Sequence, residues 1–148
     1  MNFTKNYDIK IVSDHAATAT TAVTTSIIDT QGCQGVTFIV PIASNTASSV
    51  VTATIQQSAT NAAGGMAALS GAVATVTGAA SSNSLQGKSL VVEVVNPSKR
   101  YVRVSVARTA AASVLGNIVA IRHGVKMLPV EKDATVSAST IVVSPAEA

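Results

Sequence analysis

The side chains of this sequence that could carry chemistry are few and scattered. His15 and His123 are the two histidines, Cys33 is the single cysteine, and seven carboxylates are spread along the chain. The histidines stand in no H-x-x-x-H or H-E-x-x-H arrangement, so a metal site would need carboxylates brought in by folding. His123 is placed at a strand end before Gly124, where backbone or water satisfies its ring. Cys33 lies between glycines, and no signature pairs it with either histidine, so it reads as a small structural hydrophobe. Gly87-Lys88-Ser89 matches the end of a phosphate-loop pattern, but Ser82 occupies the position of the first required glycine. A strand rather than a helix follows it, so a plain turn is the reading adopted. No catalytic, metal or cofactor-binding residue is assigned. The scarcity of ionisable groups argues against general acid/base catalysis and against an enzyme.

Lys99, Arg100, Arg103 and Arg108 form the densest basic group, followed by Arg122 and Lys126. Side chains alternate along a strand, which puts Arg103 on the face of Tyr101 and opposite the valines. Two readings stand for this group. It is a contact patch for an acidic surface or phosphates, or a solvated strand face whose cations keep a sheet edge from pairing wrongly. The candidate partner-contact residues are Lys99, Arg100, Tyr101, Arg103, Arg122, Lys126, Met127 and Leu128.

The elements that position these residues are strands. The clearest is Ser89 to Arg108, where Leu90, Val92 and Val94 alternate, Asn96-Pro97-Ser98-Lys99 turns, and Val102, Val104 and Val106 alternate again. This predicts a two-stranded hairpin. Further strands are expected at Asp8–Asp14, Ala22–Asp29, Val36–Ala43, Val50–Ser58, Val73–Thr77, Val114–His123 and Thr135–Ser144. Val36–Ala43 has the continuous apolar character of a strand buried on both faces, and Pro41 argues for a sheet edge or a bulge. His15–Thr21 shows no periodicity. Between Ala59 and Gly87 the glycines leave mostly exposed loop, with one helical turn conceivable at Met66–Leu69.

At 148 residues the chain fits one domain, which at that size buries roughly 70% of the surface its unfolded form exposes. Hydrophobic residues make up 47% and aromatics 3%, with no Trp, so the core must come from β-branched and small side chains. About eight or nine short strands without long helices give an all-β fold: an antiparallel β-sandwich, jelly-roll-like, with extended termini. Residues 1–148 form one such domain, with 1–7 and 131–148 as possible arms. The net charge of +3 on 11% charged residues is too dilute for a nucleic-acid binder. No apolar run approaches the roughly 18 to 20 residues of a membrane span, and no signal segment is visible. A lone cysteine suits a reducing compartment. A surface this poor in charge is easier to understand if partners cover it.

The segments KRYVRVSVART (Lys99 to Thr109) and GNIVAIRHGVKMLPV (Gly116 to Val130) resemble those of a family of small structural virion proteins of tailed bacteriophages. YDIKI, QGCQGVTFIV and STIVVSPAEA are similar as well, and the likeness is strongest from Ser89 onward. The resemblance implies a capsid decoration, or cement, protein that binds the major capsid protein on the outer head surface. Synthesis in the host cytoplasm, self-association as a dimer or trimer, and no membrane or direct nucleic-acid partner complete the expectation. A neck or tail connector of similar fold is the alternative.

Overall fold

Runs of Val, Ile and Thr at alternate positions put one apolar row on each pleated ribbon, and burying those rows requires two sheets face to face. The computed structural model, which describes residues 3–126 and 128–141, has that arrangement. Its strands are β1 (Asp8–Ser13), β2 (Ala16–Ala19), β3 (Val23–Thr24), β4 (Ile28–Asp29), β5 (Gly35–Asn45) and β6 (Val50–Ser58). They continue with β7 (Ala67–Thr77), β8 (Ser89–Val95), β9 (Tyr101–Thr109), β10 (Ser113–Leu115) and β11 (Ile118–His123). Among the described residues, helical structure is confined to one turn at Phe3–Asn6 and a 3-10 turn at Ala63–Gly65.

Strand β5 is the spine of the first sheet. It pairs with β8 on one edge and with β11 and then β10 on the other; β1 lies beyond β11 and β2 beyond β10. In the second sheet β4 and β3 pair with β9, β9 with β6, and β6 with β7. If β1–β2, β3–β4 and β10–β11 are each treated as one interrupted strand, eight positions remain. The first pairs with the eighth, the second with the seventh, the third with the sixth and the fourth with the fifth. Such nested pairing is a long antiparallel ribbon rolled onto itself, the jelly roll expected from the strand pattern.

The core lies between the sheets. Val36, Phe38, Val40 and Ile42 of β5 face Val51, Ala53 and Ile55 of β6 and Val102, Val104 and Val106 of β9, all at most 2% exposed. Phe38 is the only aromatic in that core among the described residues. Close packing of β-branched side chains has to supply the stabilisation that aromatics give elsewhere, at roughly 25 cal/mol per Å² of apolar surface buried.

Several expectations are corrected. β8 and β9 do not pair with each other: β8 joins β5 in one sheet and β9 joins β6 in the other. The segment between them, residues 96–100, is long enough to cross from sheet to sheet. The valine rows then face each other through the core instead of lying side by side. Alternation with a turn fits both outcomes, and only partner strands distinguish them. Of the two readings of Pro41 the edge is wrong and the bulge holds: it lies on a central strand, beside a register shift between Ile42 and Ser44 and opposite the break between β11 and β10, where Gly116 donates to its carbonyl at 2.9 Å. The missing N–H therefore falls where the ladder is already interrupted. β5 is fully buried on its inward face only; Thr37, Ile39 and Pro41 on its outward face are half-buried.

The unpatterned Ala16–Ala19 is a strand, supported by the backbone of β10 rather than by side-chain periodicity. β7 extends the short strand expected at Val73–Thr77 back to Ala67, past a bulge at Gly71, whose φ of +80° suits glycine. Leu85, in the presumed exposed loop, is 1% exposed and seals the core. The expected Val114–His123 strand is broken at Gly116-Asn117 into β10 and β11. Residues 135–141 form no strand, and 142–144 lie outside the described residues. Residues 124–126 and 128–133 stay on the body: Lys126 donates from its backbone to Gly32 O at 2.9 Å and Val130 to Lys5 O at 2.8 Å. Thr135 Oγ1 accepts from the free edge of β1 at Ile11 N, 3.0 Å.

Candidate functional site

Nested pairing sorts the connections into two groups. The segments 30–34, 59–66 and 96–100, the start of β1 and the chain beyond β11 meet at one end of the sandwich. The connections 20–22, 46–49, 78–88 and 110–112 meet at the other. The chemistry of the two ends is opposite.

The first end gathers ionisable groups. Arg122 at the close of β11 donates through Nε to Asp8 Oδ2 at 2.6 Å and through a terminal nitrogen to the Asp29 carbonyl at 3.0 Å. Asp8 is only 5% exposed, so this pair is partly withdrawn from water. Arg100 grips the Asp29 carboxylate with two donors at 2.8 and 2.6 Å and stacks over the Tyr101 ring at 5.2 Å. The Arg100 hydrogen bond holds the Asp29 carboxyl below its ordinary range. Lys10 and Asp133 pair at 3.6 Å, and hydrogen bonds from Thr135 hold the Asp133 carboxyl low.

His123 Nε2 lies 2.8 Å from Glu93 Oε1 of β8, at ion-pair distance but without hydrogen-bond alignment. The ring crosses β5 above Gly35, where a Cβ would stand 2.5 Å from it, so only glycine leaves it room. Beside it runs an open groove of about 710 Å³ lined in part by Phe3, Tyr7, Ile121, Val125 and Leu128. Phe3 and Tyr7 stack at 4.6 Å there.

The candidate contact residues therefore share one end but not one surface. Lys99, Arg100, Tyr101 and Arg103 lie on the β9 side; Arg122, Lys126 and Leu128 lie on the β11 side; Met127 is outside the described residues. Arg100 and Arg122 converge on Asp29, and Arg103 donates to Gln56 Oε1 at 2.7 Å. Those three cations are already engaged within the chain. Arg108, counted with them on sequence, belongs to the opposite end.

Cys33 donates weakly to Thr30 O at 3.2 Å, and burial pushes its thiol pKa up, away from the nucleophilic thiolate. Gly87-Lys88-Ser89 is a turn leading into β8, with Lys88 N bonded to Leu85 O at 3.1 Å. Among the described residues, no group of three or more His, Cys, Asp or Glu is placed to hold a metal ion. No helix among them is long and apolar enough to cross a membrane.

The second end carries little charge: Lys88 is exposed there and Arg108 is buried beneath it. From Thr30 to Gly87 the sequence has no Asp, Glu, Lys, Arg or His, and Thr20-Thr21-Ala22 and Ala110-Ala111-Ala112 add none. Main-chain bonds join the loops: Ser48 N to Ala79 O at 2.8 Å, Thr46 N to Ala112 O at 2.9 Å, and Asn83 N to Asn45 O at 2.7 Å. Asn45, 4% exposed, accepts from Leu85 N at 2.8 Å and donates to Thr46 O at 2.8 Å.

Arg108 follows Val102, Val104 and Val106 on the inward row of β9 and is 3% exposed. It donates to Thr21 O, Ala17 O and Ser113 O at 2.8, 2.7 and 2.8 Å and to Thr21 Oγ1 at 3.2 Å. Burial lowers its pKa. The guanidinium is a buried strut that ties one loop and two strands together, using carbonyls where a carboxylate would be usual. Three non-glycine residues at this end, Ser48, Asn83 and Ala110, hold φ values of 56°, 60° and 63°. The charge-free run is visible in the sequence, and it was the signal available for finding this surface. The inward position of Arg108 could be read only from its phase with the valines.

Compared with known protein families, curated proteins and solved structures, the chain matches none.

Proposed function

We propose that this chain is a non-enzymatic structural protein of a tailed-phage virion, a decoration protein on the outer surface of the head that stabilises contacts between major capsid protein subunits. The observation that carries this reading is the division of the surface. One end gathers most of the charge, much of it in internal pairs, and the other, where Lys88 is the exposed cation, has loops made largely of Ala, Ser, Thr, Gly and Asn and joined by main-chain bonds. Specific interfaces are depleted of charged side chains at their centres, whereas a free soluble surface is normally rich in them. The resemblance of Lys99 to Thr109 and Gly116 to Val130 to phage virion proteins supports the same reading, and jelly rolls are frequent in capsid components.

The work of such a protein is linkage. A copy that binds the assembled shell and not its separated subunits stabilises the shell by mass action. Contacts made by one bound copy to neighbouring subunits reinforce each other through effective concentration. Self-association as a dimer or trimer would close around a symmetry axis. The test is to mix the purified protein with particles stripped of it, count bound copies per particle and locate them by electron microscopy. Many copies over the shell, with raised resistance of the shell to heat, are expected. A few copies at one vertex would replace this reading with that of a neck or tail connector, and no binding would overturn both.

A further inference from the structure

We infer that β7 is the seam of a two-fold dimer: its free edge pairs antiparallel with the same edge of a second copy and joins the two β9–β6–β7 sheets into one. The inference goes beyond the decoration reading and does not depend on it. Among the described residues the free edges of the sandwich are not alike. β1 has Ile11 N donating to Thr135 Oγ1 at 3.0 Å, β2 is four residues long, and β3 and β4 are two residues each. β8 has seven residues and carries Glu93. A covering segment, short length and a charge are devices that keep a sheet edge from pairing. β7 is eleven residues long, is bonded to β6 on one side only, and carries neither a charge nor a proline. The bulge at Gly71 leaves residues 72–77 as an unbroken ladder of main-chain donors and acceptors, which another strand matches group for group.

The core is also unfinished along this side. Val51, Ala53 and Ile55 of β6 are fully buried, whereas Leu69, Ala72, Ala74 and Val76 of the neighbouring β7 are only partly buried against the core. On the outward faces Val73 of β7 and Val91 of β8 stand 48% and 56% exposed, and a cleft lined by residues 71–74 and 91–93 runs between the two strands. Opposite residues of an antiparallel pair share a face. Two-fold pairing therefore sets Ala72, Ala74 and Val76 against the same row of the second copy, which continues the core across the seam. Val73, Thr75 and Thr77 meet their own row in the same way, as β-branched cross-strand pairs. No Asp, Glu, Lys, Arg or His lies between Thr30 and Gly87, so β6, β7 and their connections bring no like charges together. Eleven residues at about 3.3 Å each, along an edge about 20 Å wide for two sheets and their side chains, offer about 700 Å² per copy. A stable interface needs about 800 Å² per partner, so the edge is of the right size. A strand that matches itself about a two-fold axis selects a second copy over a foreign strand.

Sedimentation of the free wild-type protein is expected to give twice the 14.8 kDa of one chain. V73K/T75K places lysines on the exposed row of β7, where two-fold pairing sets like charges against each other. It is expected to weaken the dimer at least about tenfold. A17K/T18K adds the same charge to exposed positions of the edge strand β2 and should dimerise as wild type does. Circular dichroism and thermal melting establish that each variant folds. Should V73K/T75K fail to fold, amide exchange of the wild-type protein decides: every amide of residues 72–77 is protected at a seam, whereas on a free edge alternate amides exchange rapidly. A mass of one chain at every concentration, or of three chains, overturns the inference. So does a dimer that V73K/T75K leaves intact or that A17K/T18K breaks, and so does rapid exchange at alternate amides of residues 72–77. Binding to stripped particles is a separate measurement, and its failure would remove the decoration reading while leaving the dimer in place.

Discussion

At the end that holds the start of β1 and the close of β11, Asp8, Asp29 and Asp133 pair with Arg122, Arg100 and Lys10 across separate segments. At the opposite end the loops are joined by main-chain hydrogen bonds around the single buried guanidinium of Arg108. Both ends close the same sandwich, yet one is joined by ion pairs and the other by main-chain hydrogen bonds. Cohesion through main-chain bonds leaves a face on which small residues predominate and Lys88 is the exposed cation.

The largest effect that would break this comparison is replacement of Arg108 by Met. The carbonyls of Ala17, Thr21 and Ser113 would lose their donor, that of Ser113 at a fully buried residue, so a loss of about 2 to 4 kcal/mol is expected in urea unfolding. A loss below about 1 kcal/mol would mean that the main-chain bonds alone hold the neutral end. Asp8→Asn at the charged end should cost less, about 1 to 3 kcal/mol, because Arg122 is 33% exposed in its side chain and can turn to water. Equal losses at the two sites would remove the distinction between a buried strut and a solvated clasp.

Ala110→Gly should act in the opposite direction. At φ +63° a Cβ is strained, and removing it is expected to raise stability by about 1 kcal/mol, read as a higher urea midpoint. The smallest effect is that of acid. Asp29 and Asp133 titrate below their ordinary values when folded, so their contribution is present above the unfolded value, near 3.9, and is lost as the pH falls through the lower folded values. Hydrogen exchange between pH 5 and about pH 3, corrected for intrinsic rates, should therefore show protection falling around Gln31 and Thr135. Protection at Ser48, Asn83 and Leu85 should hold; a uniform fall would show that the two ends do not respond separately.

Much of the fold was legible because its cause is local. Val50–Ser58 alternates Val51, Ala53 and Ile55 inward and became β6 over those same residues. Ser89 to Arg108 likewise contains β8 and β9, but the hairpin read from it was a statement about partners, and partners are not a local property. β2 was invisible because Ala16–Ala19 has no apolar alternation, and its strand conformation comes from bonding to β10. The basic group was legible as composition. Its division into Arg100 and Arg103 on one side, Arg122 on another and Arg108 beneath the neutral end depends on which carboxylate, amide or carbonyl each meets after folding.

The sequence by itself determined that the chain builds β-sheet from small and β-branched residues, which of its faces turn inward, and that a long central stretch carries no charge. Those properties follow from side-chain volume, branching and period, each set within a few residues. The tertiary structure alone decided that the ribbon rolls up so that sequence-distant loops share an end. It also decided that the neutral loops meet over Arg108 and that the paired ions gather at the far side. Strand pairing and the burial of one cation depend on contacts between residues tens of positions apart, and no local pattern specifies them.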